Sequence, residues 1–483
     1  MTVQPLSDHP NAEHLRNQAK TLLRQAREGS PEALSVIEEF HPRPPAAPKL
    51  ADTQLVVARR HGFASWPRLV RHLEMIERYS RSPHLVGETA DLVDEFLRLA
   101  CLAYGDDDHA DHWKRAADML AARPELAAAD IWTMAATGSA EALREALAGA
   151  PEAARRQGGP FGWEPLLYAA YARLPVHGDY VETARVLLER GADPDAGFLW
   201  DGLRSPFTVL TGVFGGGEGE QPPHPQAARL ARLLLRAGAD PNDPQTLYNR
   251  GLGGPWSDDT AHLEPLLEHG LGQGDGGPWR ARLGPEHPAP ADLLAEEMAT
   301  AALRGGPRRV KLLLTYGAPV DRPGSHPVFG GRTPYELALL NGHREVAGLL
   351  AAAGAQAALD ELEAFVSACM RADASAATAA GPEILARARA EHPGLLRRAA
   401  EHRQTEAVRL LHGLGFDIGH RERSTALHLA AWNDDVETVA TLLELGADPS
   451  VTDEDHDATP LDWAEYGGRR RVAAFLKSGQ TLG

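Results

Sequence analysis

Apolar positions along this chain fall in short paired stripes at helical spacing, each pair split by a polar turn and closed by glycine. The clearest pair occupies 425–449. Thr425 is placed to cap a helix with its hydroxyl, leaving Leu427, Leu429 and Ala430 toward neighbouring helices. Small residues at Ala430 and Ala431 let a second helix approach, and Val436, Val439, Leu442 and Leu443 supply the facing stripe. Gly446 ends that helix where a left-handed conformation would cost an L side chain about 1–2 kcal/mol. Asp448 and Pro449 then turn the chain outward. One such hairpin cannot bury its own apolar faces, so stacking on similar neighbours must stabilise it.

Degraded copies recur. Glu164, Pro165, Leu166, Leu167, Tyr168, Ala169 and Ala170 open a unit that closes on Gly191, Ala192, Asp193 and Pro194, and Ser205 to Leu210 open another that closes on Gly238 to Pro241. Further closures fall at Gly270, Gly317, Gly354, Gly415 and Gly446, and further openings at Thr333 to Ala338 and Thr459 to Ala464. The pattern resembles the ankyrin-repeat family, with its period of about 33 residues, and the resemblance implies an all-α solenoid of roughly ten helix-turn-helix repeats across 89–480. Leu359 to His392 is alanine-rich without an obvious closure and reads as a degenerate unit, while charged Arg470 to Lys477 suit a terminal cap.

Residues 1–85 lack this rhythm. Leu15, Ala19, Leu22, Leu23 and Ala26 form one helical stripe, and helices are predicted over Pro31 to Phe40, Leu50 to Arg60 and Ser65 to Arg78. The expectation is a small helical bundle covering the first repeat's open face. Leu15, Arg16, Gln18 and Ala19, combined with Gln54, Leu55, Ala58, Arg59 and the run Gly62 to Pro67, are similar to leaders that precede ankyrin arrays in bacterial proteins.

The departures from period locate the candidate site. Closing glycines 191, 238, 270, 317 and 354 are 47, 32, 47 and 37 residues apart, so extra residues concentrate at 197–290. Thr211 to Pro225 and Gly272 to Pro290 are rich in Gly and Pro, and Tyr248 to Asp259 stands where a first helix is due. Insertions in a solenoid map to one face, often the binding face. Trp200, His224, Tyr248, Asn249, Arg250, Trp256, Asp258, Asp259, Trp279 and Arg280 combine aromatic and arginine side chains, typical of binding hot spots, with polar groups that orient a ligand. The alternative is packing: tryptophans wedging irregular loops against the helices, with Arg250 paired to Asp258 or Asp259. Ala196 to Trp200, Thr208 to Phe214, Tyr248 to Arg250 and Gly274 to Trp279 also resemble ankyrin-repeat proteins of actinobacterial type.

Composition narrows the function. The 49 basic and 67 acidic residues give a net charge of −18, with no long basic stripe, which argues against nucleic acid or an anionic membrane as partner. Cys101 and Cys369 are far apart in apolar patterns, as buried thiols in a reducing compartment would be. Met1 to Pro10 shows no basic-then-apolar signal, and no apolar run reaches the roughly 18 residues that span a bilayer, so a cytoplasmic location is expected.

Catalytic chemistry is hard to find. There is no Gly-x-Ser-x-Gly elbow, and Gly215 to Gly217, followed by Glu218 and Glu220, lack the Lys-Ser/Thr ending of a phosphate loop. Gly105 to His112 and Asp453 to Asp457 are rich in Asp and His but lack metal-ligand spacing, so both read as polar turns and no metal or cofactor is expected. The expected function is a non-catalytic scaffold that recognises a protein partner through the concave surface and the inserted loops. The alternative is an enzyme or small-molecule binder with a pocket under those loops, using His224, Asp258 and Arg250.

Overall fold

The computed structural model describes residues 6, 11–106, 108–175, 178–252, 258–284 and 287–479. Trp256 and nearly all of the Met1 to Pro10 stretch lie outside the described residues. The fold is an all-α repeat solenoid, built of helical hairpins with one small sheet among the described residues. Backbone contacts divide it into two compact units, one of residues up to 215 with 221–246 and 275–288, the other of 216–220, 247–274 and everything from 289 on.

The first unit begins with helices Ala12–Arg27, Pro31–Phe40, Leu50–Arg60 and Trp66–Tyr79, matching the predicted stripes. Leu15, Ala19, Val57, Ala58, Leu69 and Leu73 form one of their cores, and Ala26, Ile37, Phe40 and Val56 another. A sheet then ties this bundle to the inserted segment. β1 (Ser80–Arg81) pairs in parallel with β2 (Gly197–Trp200), which forms an antiparallel ladder with β3 (Pro206–Thr208). Helices Leu92–Ala100, Ile131–Thr137, Pro165–Tyr171 and Val209–Phe214 stack in one row. Ala140–Gly149, Tyr180–Glu189 and Ala227–Arg236 form the row behind it.

The second unit repeats the plan. Pro290–Arg304, Pro334–Leu340 and Glu361–Met370 pack in succession, as do Leu395–Glu401, Ala426–Trp432 and Pro460–Tyr466. Thr405–Gly413, Val436–Glu444 and Arg470–Ser478 back the second series. In the last helix Val472 is buried and Arg470 and Arg471 face water, as a cap requires.

Two local expectations are corrected. The segment beginning at Tyr248 does not replace a helix: Pro244–Leu252 is helical, started by proline at a position where its missing N–H costs nothing. The alanine-rich segment holds three helices, Glu361–Met370, Ala374–Ala379 and Gly381–Glu391, because Asp373 caps the second and Gly381, at φ +82°, bends the chain into the third.

The opening motif works through His428. Its Nε2–H donates to the Ala458 carbonyl at 3.0 Å, leaving Nδ1 as acceptor for the Thr425 N–H at 3.2 Å. The Thr425 hydroxyl sits 2.8 Å from the same nitrogen. One imidazole thus caps its own helix and ties it to the next finger. Burial holds it neutral, pushing its pKa below the usual histidine range.

Candidate functional site

The predicted site residues divide between the units. In the first, Trp200 sits on β2, stacks on the His84 ring at 4.1 Å and donates its indole N–H to the Ala103 carbonyl at 3.0 Å. Trp279 is buried; its indole N–H reaches the Asp195 carbonyl at 2.9 Å and its ring meets Tyr79 edge-on. His224 is buried edge-on to Tyr180 and accepts the Gln226 N–H at 3.0 Å. Arg280 donates to the His287 carbonyl at 2.6 Å. Trp200, Trp279 and His224 fasten inserted segments to neighbouring parts of the unit, and Arg280 braces its own segment from within.

In the second unit, Arg250 pairs with Asp259 at 2.5 Å. Asp258 accepts the Arg308 and Arg309 amides at 2.8 and 2.9 Å, at the start of helix Pro307–Thr315. Asn249 is buried, and its carbonyl accepts the Gly217 N–H at 2.9 Å. Only Tyr248, 53 % exposed, presents a large side chain to solvent among the described members of this set.

Both units carry open grooves, one of about 670 Å³ running along helices Tyr180–Glu189 and Ala227–Arg236 in the first. In the first unit, the space against Phe198 and Gly197, lined also by Trp163, Glu164 and Arg81, is about 10 Å³, room for a single water. Burial raises the Glu164 carboxyl there to about 7. The second unit encloses a groove of about 710 Å³. Its walls come from the first helices and the turns beside them: Leu303, Arg304, Leu340 and Trp432 at helix ends, Arg398 within a helix, Arg469 in a turn after one, and Val328 and Phe329 in the turn that precedes Pro334–Leu340. The inserted segment 216–220 forms its rim through Glu218 and Glu220.

Charges in the groove are partly paired. Arg469 lies over the Trp432 ring, 5.1 Å from its centroid, and pairs with Glu220 at 3.2 Å. Arg332 pairs with Glu363. His402 is buried beside His343, whose Nε2 lies 3.1 Å from the His402 Nδ1. Burial first, then the charges of His343, Arg398 and Arg304, keeps the His402 pKa well below the usual range.

A family model for ankyrin repeats, in three copies, matches residues 396–482, and a single-repeat model matches 161–197. These segments are ankyrin repeats. The ankyrin repeats at 396–482 carry Arg398, His402, Trp432 and Arg469 of the groove. None of these four was among the site residues predicted from the sequence, because each stands at a position that the ankyrin pattern leaves free of an apolar requirement. The usable signal was Trp432, a large aromatic at the end of a helix whose buried face, apart from His428, is small or aliphatic.

The acidic turns behave as structure. Asp108 accepts the Ala103 and Tyr104 amides, and burial pushes its carboxyl up to about 6. Asp453 accepts the Asp455 and His456 amides and the Trp463 indole N–H. Among the described residues no cluster of three or more His, Cys, Asp or Glu could hold a metal ion, and no helix is long and apolar enough to cross a membrane.

Proposed function

We propose that the chain is a non-catalytic binding scaffold that holds a protein partner in the inner groove of the second unit. Ankyrin repeats are in general protein-interaction modules, and the observation that carries this reading is the 710 Å³ groove with Trp432 and arginines on its walls. Trp and Arg are residue types enriched among binding hot spots, and here they line the groove. The inserted segments are the second part of the proposal: 216–220 rims the groove, and Tyr248 with the partly exposed Arg250, Asp258 and Asp259 extends the contact surface, while the buried Asn249 holds segment 216–220 in place. In the first unit, Trp200, His224, Trp279 and Arg280 maintain the shape of the inserted segments, and the leader bundle caps the first repeat. A cytoplasmic location belongs to the same reading; Cys101 and Cys369 are buried thiols whose pKa burial raises.

The test is partner capture by the full chain, compared with a groove variant (Trp432→Ala, Val328→Asp) and an insertion variant (Tyr248→Ala, Arg250→Ala). The proposal expects the groove variant to lose its protein partner and the insertion variant to weaken it. A retained small molecule, with no protein, would favour the pocket alternative.

A further inference from the structure

The groove is lined by four arginines and four glutamates, and these charges are paired unevenly along its length. Arg332 and Arg469 are answered within it by Glu363 and Glu220, and Glu401 lies within the field of Arg397 and Arg398. The side chain of Arg304, the last residue of helix Pro290–Arg304, makes no hydrogen bond or ion pair among the described residues, although it is only partly exposed and lies in the field of the buried Glu297. Arg304 and Arg398 come from different hairpins, line the same groove and both act on the buried His402. Their side chains are partly desolvated, and burial lowers the pKa of each, so each gains from an added negative charge. Beside them run Leu303, Phe329, Leu337, Leu340 and Val366, an apolar wall continuous with the cationic floor.

Resting on the groove as the partner site, we propose that its occupant is an acidic segment of a protein, with an Asp or Glu carboxylate on Arg304 and Arg398 and an adjacent apolar side chain against the Phe329 and Leu340 wall. Charge complementarity carries the choice. On a chain of net charge −18 an acidic segment is repelled by most of the surface, so a local pair of arginines fixes where and in what register it settles. Arginine also suits a carboxylate geometrically, since its planar fork donates two parallel hydrogen bonds. A basic segment would meet Glu363 and Glu220, carboxylates that Arg332 and Arg469 already face.

The experiment selects a random peptide library on the immobilised full chain, then measures the recovered peptides, synthesised with a fluorophore, by anisotropy. The proposal expects Asp or Glu within a few positions of an aromatic or aliphatic residue. It expects each peptide to bind about tenfold or more weakly when that acid becomes Gln, and to lose a similar factor against Arg304→Gln with Arg398→Gln. The double Arg→Lys variant should retain part of the binding, and all variants should unfold at the wild-type midpoint. If the Gln variant fails to fold, the acid-to-Gln peptides on wild type decide the matter alone. A consensus without a carboxylate, or acidic peptides indifferent to both arginine variants yet lost with Trp432→Ala, overturns the acidic-segment inference and leaves the groove reading standing. No enrichment, or binding indifferent to Trp432→Ala as well, overturns both.

Discussion

Glu220 and Arg469 are 249 positions apart in sequence and pair at 3.2 Å, with the same arginine lying over the Trp432 ring. An inserted segment is thereby fastened to the turn of the terminal hairpin, just before its last helix, and the groove acquires a rim. Because Glu220 is half exposed, the pair adds little to global stability, about 0–1 kcal/mol. Glu220→Ala should leave the unfolding midpoint nearly unchanged while amide exchange across 216–220 quickens. Unchanged exchange there would mean that Arg469 does not hold the rim.

The finger at 453–463 should be acid-sensitive. Asp453 is desolvated, which opposes ionisation, yet the Trp463 indole N–H at 2.6 Å and the His456 and Asp455 amides together hold its carboxyl down at about 2. A carboxyl held below its unfolded value, about 3.9, contributes stability above that pH and loses it as pH falls toward 2. Trp463→Phe removes one donor, so the loss of stability between pH 4 and 2 should become shallower. Denaturant midpoints across that window measure it, and identical slopes in the two proteins would contradict the assignment.

Two glycines separate backbone strain from steric exclusion. Gly191 has φ +87° with open space where a Cβ would stand, so Gly191→Ala should cost only the left-handed penalty, about 1–2 kcal/mol. Gly342 has φ +78°, and a Cβ there would lie 2.3 Å from the Met370 carbonyl oxygen, so Gly342→Ala should cost clearly more. Chemical denaturation compares them. Equal losses would mean that the turn after Pro334–Leu340 relaxes freely.

A buried ion pair lies in the second unit. Arg309 and Glu297, 2 % and 4 % exposed, pair at 2.9 Å, and the neutral His262 ring lies 3.2 Å from the same guanidinium. Arg309→Met alone strands a buried carboxylate and should cost about 3–5 kcal/mol. Adding Glu297→Leu should recover most of that loss, since an apolar pair of similar volume replaces ion pairs at little cost. Additive losses in the double variant would contradict this.

The fold was readable because each hairpin repeats a local code. Gly191, Gly238 and Gly446 all adopt positive φ where the pattern closes, and Thr425 takes the N-cap position where it opens, with His428 rather than its own hydroxyl meeting the backbone N–H there. The leader helices were equally plain, since their apolar stripes continue at helical spacing up to a capping Asn11 or Ser30. The groove was not readable. Arg304, Arg398, Trp432 and Arg469 come from separate hairpins, and nothing local to any of them announces the others; only stacking brings them to one surface. Aromatic residues in the insertions drew attention instead, yet Trp200 and Trp279 are occupied with Ala103 and Asp195, as loops that must hold a shape require.

The most direct measurement is site-specific photo-crosslinking in host cells, with p-benzoylphenylalanine in place of Val328, which is 60 % exposed on the groove wall, and separately in place of Tyr316, exposed and outside the groove. The account predicts one defined protein adduct from position 328, absent from position 316 and lost when Trp432→Ala is added. The same adducts from both positions, or an adduct from 316 alone, would contradict the groove as the binding site.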